Sequence, residues 1–181
     1  MLTVEQAAHL RAAVSAGRSI AISGATGTGK TTLLSSLLAC IPETERVILL
    51  EETREIPTSA SNIVSLVTRG PNPEGAGAID LADLVRSSLR MRPDRIVVGE
   101  VRGAEALAML AAMNTGQQGS LVTVHASSAA QVTDRIVALA SQGSTSLGED
   151  TVRAWAADAW DLRVHLERVE GRRCIREIRE G

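Results

Sequence analysis

One stretch of this chain decides its fold: Gly24-Ala25-Thr26-Gly27-Thr28-Gly29-Lys30-Thr31. It matches the pattern G-x-x-x-x-G-K-[ST] in full, follows the apolar run 20–22 and precedes a helical apolar pattern over 33–38. The glycines allow successive backbone N–H groups to point at one anion, and the helix that begins near Lys30 adds its positive dipole end. This strand–loop–helix context predicts a site for a nucleoside triphosphate or diphosphate.

The phosphate loop (residues 24–31) has two side chains with expected chemical roles. Lys30 should reach the β- and γ-phosphates, and the Thr31 hydroxyl should hold Mg²⁺. ATP and Mg²⁺ are therefore the expected ligands. The residues expected to contact the nucleotide run from the first glycine into the following helix: Gly24, Ala25, Thr26, Gly27, Thr28, Gly29, Lys30, Thr31 and Thr32.

Composition limits the classes of partner. The chain has 181 residues, enough for one domain with a core, and its hydrophobic (44%) and charged (22%) fractions are ordinary for a globular protein. A net charge of −2 and the absence of Phe and Tyr argue against nucleic-acid binding, which uses a basic field and aromatic stacking.

Cys40 and Cys174 fit no metal spacing and are interpreted as reduced thiols of a cytosolic protein. No apolar run is long enough to span a membrane, so membrane contact is expected only through a partner.

Strands and helices alternate along most of the chain. Buried strands are predicted at 20–23, 46–50, 95–98 and 121–124, with a further strand at 62–68 and helices between them. Period-two patterns at 162–166 and 174–178, joined by a turn at Glu170-Gly171, predict a hairpin with one solvated face. The fold class is therefore α/β: a mostly parallel sheet flanked by helices, with a C-terminal antiparallel hairpin, in one domain over 1–181.

Polar groups follow three of these strands. Glu51-Glu52-Thr53-Arg54-Glu55 follows the second strand, Glu100 ends another, and His125 follows the strand at 121–124. Function gathers at the carboxyl ends of parallel strands, so we expect all three to face the phosphate loop.

Glu100 occupies the position of the carboxylate that orients the attacking water in phosphoryl transfer. The alternative is a glutamate that caps a helix near Gly103. Gly99 stands where such a strand usually carries a Mg²⁺-binding aspartate. Mg²⁺ would then depend on Thr31, the phosphates and water, with acidic side chains acting through water.

Other polar residues remain ambiguous at this level. Glu51, Glu52 and Glu55 form either part of the site or a solvated loop. His125 either hydrogen-bonds a γ-phosphate or is a structural histidine at the sheet edge, whereas His9 and His165 are interpreted as structural. The mixed charges of 167–180 are interpreted as a solvated hairpin face. Five arginines could be phosphate ligands, one of them across a subunit boundary, or else surface charges or members of internal pairs: Arg54, Arg69, Arg90, Arg92 and Arg102.

Four ordered motifs resemble the type II/type IV secretion ATPase superfamily, most closely its tight-adherence (Tad) pilus motors. They are the phosphate loop, the acidic stretch 51–55, the stretch Leu89 to Gly103, and the stretches 112–116 and 119–126. The resemblance implies a RecA-like core, a homo-hexameric ring and ATP-powered work on an inner-membrane pilus or secretion platform, with the protein in the cytoplasm and peripheral to that membrane.

The same resemblance implies residue roles. The phosphate loop is the Walker A motif, Glu100 takes the Walker B catalytic position, and His125 that of the histidine box. Glu51, Glu52 and Glu55 match the acidic box. The family commonly carries glycine in place of aspartate at the position of Gly99. We therefore expect catalytic roles for Glu100, Lys30, Glu55, His125 and Arg102, and Mg²⁺ contacts for Thr31, Glu51 and Glu52, the two acids acting through water.

Three departures from the family pattern are visible. Gln117 stands where Tad relatives often carry His, and Ser127 where they often carry Asn. Both are expected near the γ-phosphate. The family's N-terminal domain is expected to be absent, since the chain begins almost at the core. Two rival functions remain open: a RecA-like nucleic-acid motor, and a nucleotide-binding module that hydrolyses little in isolation.

Overall fold

A seven-stranded sheet forms the centre of the protein. The computed structural model describes residues 2–57, 62–143 and 147–181. The strands lie in the order β3-β2-β4-β5-β1-β6-β7, and every pair is parallel except β6–β7. Their bounds are β1 Ile20–Gly24, β2 Val47–Glu51, β3 Ile63–Val67, β4 Arg95–Val101, β5 Leu121–Val124, β6 Leu162–Val169 and β7 Arg172–Glu180.

Helices cover both faces of the sheet. They are α1 Val4–Ser15, α2 Lys30–Leu38, α3 Leu81–Ser88, α4 Glu105–Asn114, α5 Val132–Ala140 and α6 Glu149–Asp158. Apolar residues of α1 and α2 pack on one face, and those of α3 to α6 pack on the other. Alternate residues of β2 belong to the two cores, Ile48 and Leu50 to one and Val47 and Leu49 to the other. The fold therefore has three layers, and the prediction of a buried parallel sheet is confirmed.

The C-terminal hairpin differs in one respect from the prediction. β6 pairs in parallel with β1, so it continues the main sheet. Val164, His165 and Leu166 are buried in succession, which breaks the expected alternation. The predicted solvated face is therefore wrong at His165 of β6, because its ring is buried against Ser23 of the neighbouring strand β1. Opposite this segment, the β6–β7 register shifts between His165 and Leu166.

A second register irregularity lies in β4. Val98 pairs with Val122 and Val101 pairs with Val124, so Gly99 and Glu100 together oppose the single residue Thr123. The Thr123 hydroxyl donates to the Gly99 carbonyl at 2.6 Å. A bulge of this kind redirects a side chain, and here it lies at the carboxyl end of a central strand. No helix in the described ranges is both long and apolar enough to cross a membrane.

Candidate functional site

The phosphate loop joins β1 to α2 at the carboxyl edge of the sheet. Gly24, Gly27 and Gly29 have φ angles of 148°, 77° and 98°. At Gly24, a Cβ would lie 2.5 Å from the Leu166 carbonyl oxygen and 2.7 Å from Thr28 Oγ1. A side chain at position 24 would displace the Leu166 backbone or the loop itself, so only glycine fits there. The loop is thus a tight backbone cradle at a helix N-terminus, which is the arrangement that binds phosphate.

Lys30 folds back over this cradle. Its Nζ donates to the carbonyl oxygens of Gly24 at 3.0 Å and Ala25 at 3.2 Å, and it lies 3.4 Å from His125 Nε2. The side chain is buried, and this burial lowers the pKa of Lys30, although the nearby Glu100 opposes the shift. The ammonium is therefore already at the loop and partly stripped of water, which strengthens its attraction for an anion.

Glu100 points from the bulge of β4 toward the phosphate loop. Its Oε2 accepts a hydrogen bond from Arg102 Nη2 at 2.7 Å, and its Oε1 lies 2.7 Å from His125 Nε2. Burial favours a higher pKa for Glu100, but the Arg102 hydrogen bond and the neighbouring positive charges outweigh it, so the pKa lies below its ordinary value. Glu100 is therefore a carboxylate at neutral pH, the form able to accept a proton.

His125 lies between Lys30 and Glu100, just beyond the end of β5. Burial lowers the pKa of His125, the Lys30 charge lowers it further, and Glu100 opposes both. The ring is therefore neutral at pH 7. In a neutral imidazole one ring nitrogen donates and the other accepts a hydrogen bond. Nε2 faces both groups, so as a donor it can serve the Glu100 carboxylate or a phosphate oxygen, but it cannot also accept from Lys30.

The three acids after β2 have different surroundings. Glu51 is buried, and its Oε1 accepts hydrogen bonds from the backbone amides of Glu55 and Ile56, both at 2.9 Å. Glu52 and Glu55 are exposed, and Glu52 lies 3.3 Å from Arg102 Nη1. Glu52 and Glu55 thus lie in a solvated loop, whereas Glu51 does not. All three line a cleft of about 60 Å³ that also contains Thr31, Glu100 and Arg102.

The hydroxyl and carboxylate side chains of this cleft are suitable ligands for Mg²⁺. They supply oxygens, the ligands this ion prefers, and Glu51 Oε2 is buried without a hydrogen-bond partner among the described residues. In the same part of the chain, no group of three or more His, Cys, Asp and Glu side chains is arranged to hold a metal. Thr31 and Glu51 are thus suited to contribute to a Mg²⁺ site whose other ligands come from phosphate and water.

The structure answers two questions that the sequence left open: whether Glu100 caps a helix, and what Arg69 and Arg102 contact. The carboxylate that receives backbone N–H groups before α4 belongs to Glu105, which accepts from Arg102 at 2.5 Å and Gly103 at 2.8 Å. Glu100 therefore does not cap this helix. Arg102 bonds Glu100 of its own chain, and Arg69 donates to the Gly77 carbonyl within its own loop.

The expected position of Gln117 is wrong. Its Nε2 donates to the Asp94 carbonyl at 3.1 Å, just before β4 begins. Gln117 precedes β5, and the parallel strands place that end at the opposite edge from the phosphate loop. Ser127, by contrast, follows β5 and lines a cleft of about 560 Å³ together with Gly24, Thr28 and His125.

Two features of the site escaped the sequence analysis. Buried His165 places its Nδ1 2.9 Å from the hydroxyl of Ser23, at the end of β1. Arg173, in the hairpin segment interpreted as solvated, donates from Nε to the Gly27 carbonyl at 3.2 Å. Neither contact has a local sequence signal, because each joins residues more than 140 positions apart.

Known proteins match nearly the whole chain. A putative conjugal transfer protein of Mycobacterium tuberculosis is 42% identical over 166 residues, which are 91% of this chain and 47% of that protein. The type IV secretion system protein VirB11 of Bartonella quintana is 37% identical over 171 residues, 93% of this chain and 48% of the relative. The chain therefore spans about half the length of the curated relatives it matches.

Solved structures agree with this likeness. The VirB11 ATPase from the Brucella suis type IV secretion system, solved with sulphate, superposes with a TM-score of 0.87 at 31% identity, over 98% of this chain and 54% of that one. The pilus retraction motor PilT with bound ADP has a TM-score of 0.71 at 24% identity, over 93% of this chain and 49% of its own, and supports the fold alone.

The narrower likeness to Tad motors is untested by these relatives and stays a prediction. The RecA-like fold of the secretion ATPases is confirmed. The family described as Type II/IV secretion system protein matches residues 1–178, and the chain belongs to that family.

Proposed function

We propose that this chain is the ATP-hydrolysing motor core of a bacterial type II/IV secretion or pilus-assembly system, a RecA-like domain over residues 1–181. One observation carries the proposal: the neutral ring of His125 lies 3.4 Å from Lys30 Nζ and 2.7 Å from Glu100 Oε1, at the mouth of the phosphate loop. A phosphate-binding cation, a proton-accepting carboxylate and a hydrogen-bonding ring thus meet at one point, as phosphoryl transfer to water requires.

Each residue has a distinct role in this proposal. Lys30 and the loop amides stabilise the charge that develops on the transferring phosphoryl group. Glu100 orients the attacking water and accepts its proton, and His125 hydrogen-bonds the γ-phosphate. Thr31, with Glu51 and Glu52 acting through water, holds Mg²⁺, which neutralises phosphate charge when bound. Arg102 and Glu55 line the acidic side of the same cleft.

The proposed assembly follows from membership of the family. The motor would act as a homo-hexamer in the cytoplasm, attached to the inner membrane through a platform protein. Arg90 is exposed, and no hydrogen bond or ion pair within the described residues engages its side chain. It is therefore the better candidate for a residue that acts on a neighbouring subunit, since Arg69 and Arg102 are engaged within their own chain.

Glu100→Gln tests the proposal. The amide keeps the size of the side chain but cannot accept the proton, so we expect ATP binding to persist and steady-state phosphate release to fall by about a hundredfold or more. Glu74→Gln, an exposed glutamate in the loop before α3, is the matched control and should behave as wild type. Unchanged phosphate release in Glu100→Gln would refute the assignment.

A second candidate function is a nucleotide-binding module with little turnover by itself. The observation that favours it is the pair between Glu100 and Arg102, which occupies one oxygen of the carboxylate that must orient water. Phosphate release per chain, measured at rising protein concentration, separates the two. A site completed by a neighbouring subunit gains specific activity on assembly, whereas a binding module stays inactive at every concentration.

A further inference from the structure

The β6–β7 hairpin forms one wall of the phosphate loop. Ser23 Oγ lies 2.9 Å from His165 Nδ1, and the Leu166 carbonyl fills the space beside Gly24. The third contact is the hydrogen bond from Arg173 to the Gly27 carbonyl. The first two contacts secure the start of the loop, and the third reaches its tip.

Gly27 needs such a restraint. Its φ angle is 77°, and among the described residues no atom beyond its two chain neighbours lies within 4 Å of the position that a Cβ would occupy. Gly27 therefore has no side chain, and no neighbouring atoms around its Cβ position, to restrain its backbone. A carbonyl oxygen turned toward a phosphate repels it, whereas amides turned toward it attract it. The hydrogen bond from Arg173 fixes the direction of this carbonyl.

Arg173 differs from the other arginines of the hairpin in its contact with the phosphate loop. The lack of an ion pair among the described residues is shared with Arg163, Arg168 and Arg172. Arg176 and Arg179 have carboxylate partners, and Arg168 donates to the Gly171 carbonyl in the turn. Among the described residues, Arg173 has no ion pair, and its terminal nitrogens have no hydrogen-bond partner. Its Cδ lies 3.2 Å from the Cβ position of Gly29. An uncompensated positive charge thus lies against the backbone of the phosphate loop.

We infer that Arg173 is a positioning residue for nucleoside di- and triphosphates: it holds the tip of the phosphate loop in the anion-binding conformation and adds positive charge beside it. This inference rests on the proposed nucleotide site and assigns to that site a residue from the far end of the chain. Nucleotide affinity is thereby tied to the position of the C-terminal hairpin.

The test compares Arg173→Ala, Arg173→Lys and the neighbouring Arg172→Ala by calorimetric titration with ADP. Loss of one charge-assisted hydrogen bond should weaken ADP binding about tenfold in Arg173→Ala. Lysine retains a charged donor and should recover most of the affinity. Arg172→Ala, which removes an exposed arginine from the adjacent position, should bind as wild type.

A second measurement separates positioning from general loss of structure. The unfolding temperature without nucleotide should match wild type in all three variants, and amide exchange within residues 24–29 should accelerate only in Arg173→Ala. Wild-type ADP affinity in Arg173→Ala, or an equal loss in Arg172→Ala, overturns the inference while leaving the nucleotide site intact. If the unmodified chain binds no ADP, the proposed function itself fails.

Discussion

Gly99 lies directly against Glu51: a Cβ on Gly99 would stand 3.2 Å from Glu51 Cγ. This contact explains why β4 lacks an acidic side chain at this position. The buried carboxylate of Glu51, from the neighbouring strand β2, already occupies the space. The Oε1 atom of Glu51 accepts hydrogen bonds from two backbone amides, which restrain the side chain from moving aside.

Gly99→Ala should therefore destabilise the protein. The added methyl group forces a shift of Glu51 or of β4, and overpacking of this kind costs about 1–2 kcal/mol of unfolding free energy. Gly70→Ala is the matched control, because in the described part of the chain no atom beyond its two neighbours lies within 4 Å of its Cβ position. Denaturant unfolding of both variants measures the difference, and equal stability of the two would contradict this account.

The positions of Gln117 and Ser127 make a paired prediction. Gln117→His should leave ADP affinity and phosphate release unchanged, because residue 117 lies at the opposite edge of the sheet from the phosphate loop. Ser127→Asn should change one or both, because residue 127 lines the cleft beside that loop. Titration with ADP and steady-state phosphate release check both variants. A response to Gln117→His as large as that to Ser127→Asn would be inconsistent with the observed topology.

His125 should make stability depend on pH. Its pKa in the folded protein lies below the value of 6.5 for the free side chain, so the unfolded chain takes up the proton first as the pH falls. This contribution is absent above that value and becomes destabilising as the pH drops from 6.5 toward the folded pKa. His125→Gln should remove this part of the pH dependence. The difference between the free energies of unfolding of wild type and variant should be constant above pH 6.5 and should change as the pH falls below it. Curves that stay parallel across the whole range would argue against the shift.

A partly buried ion pair lies at the start of β4, at the edge of the sheet opposite the phosphate loop. Arg95 is 2% exposed, pairs with the carboxylate of Glu45 and donates to the Val14 carbonyl at 2.7 Å. Glu45→Ala leaves this guanidinium without its counter-charge, and such a loss costs about 3 kcal/mol of unfolding free energy. ADP affinity should persist under folding conditions, since the pair lies at the start of β4. Glu43→Ala, which changes a nearby exposed glutamate, should leave stability near wild type in the same unfolding experiment.

Much of the fold could be predicted because its signals are local. Thr3 and Asp80 cap their helices by accepting hydrogen bonds from the backbone amides of Gln6 and Asp83, so each cap depends on residues only three positions apart. The apolar runs of β2 and β5 are buried throughout, as expected for central strands of a parallel sheet. Where the prediction failed, at the solvated face of β6 and at Gln117, the outcome depended on strand neighbours that lie far away in the chain.

The sequence by itself determined the phosphate loop, the parallel α/β sheet and the edge at which Lys30, Glu100 and His125 gather, because glycine spacing, helix caps and strand direction act over a few residues. Their catalytic roles stay predictions. Only the tertiary structure decided that a bulge directs Glu100, that Glu51 fills the space beside Gly99, and that Arg173 reaches the phosphate loop. These contacts follow from the register and order of strands, which long-range packing sets and no short segment encodes.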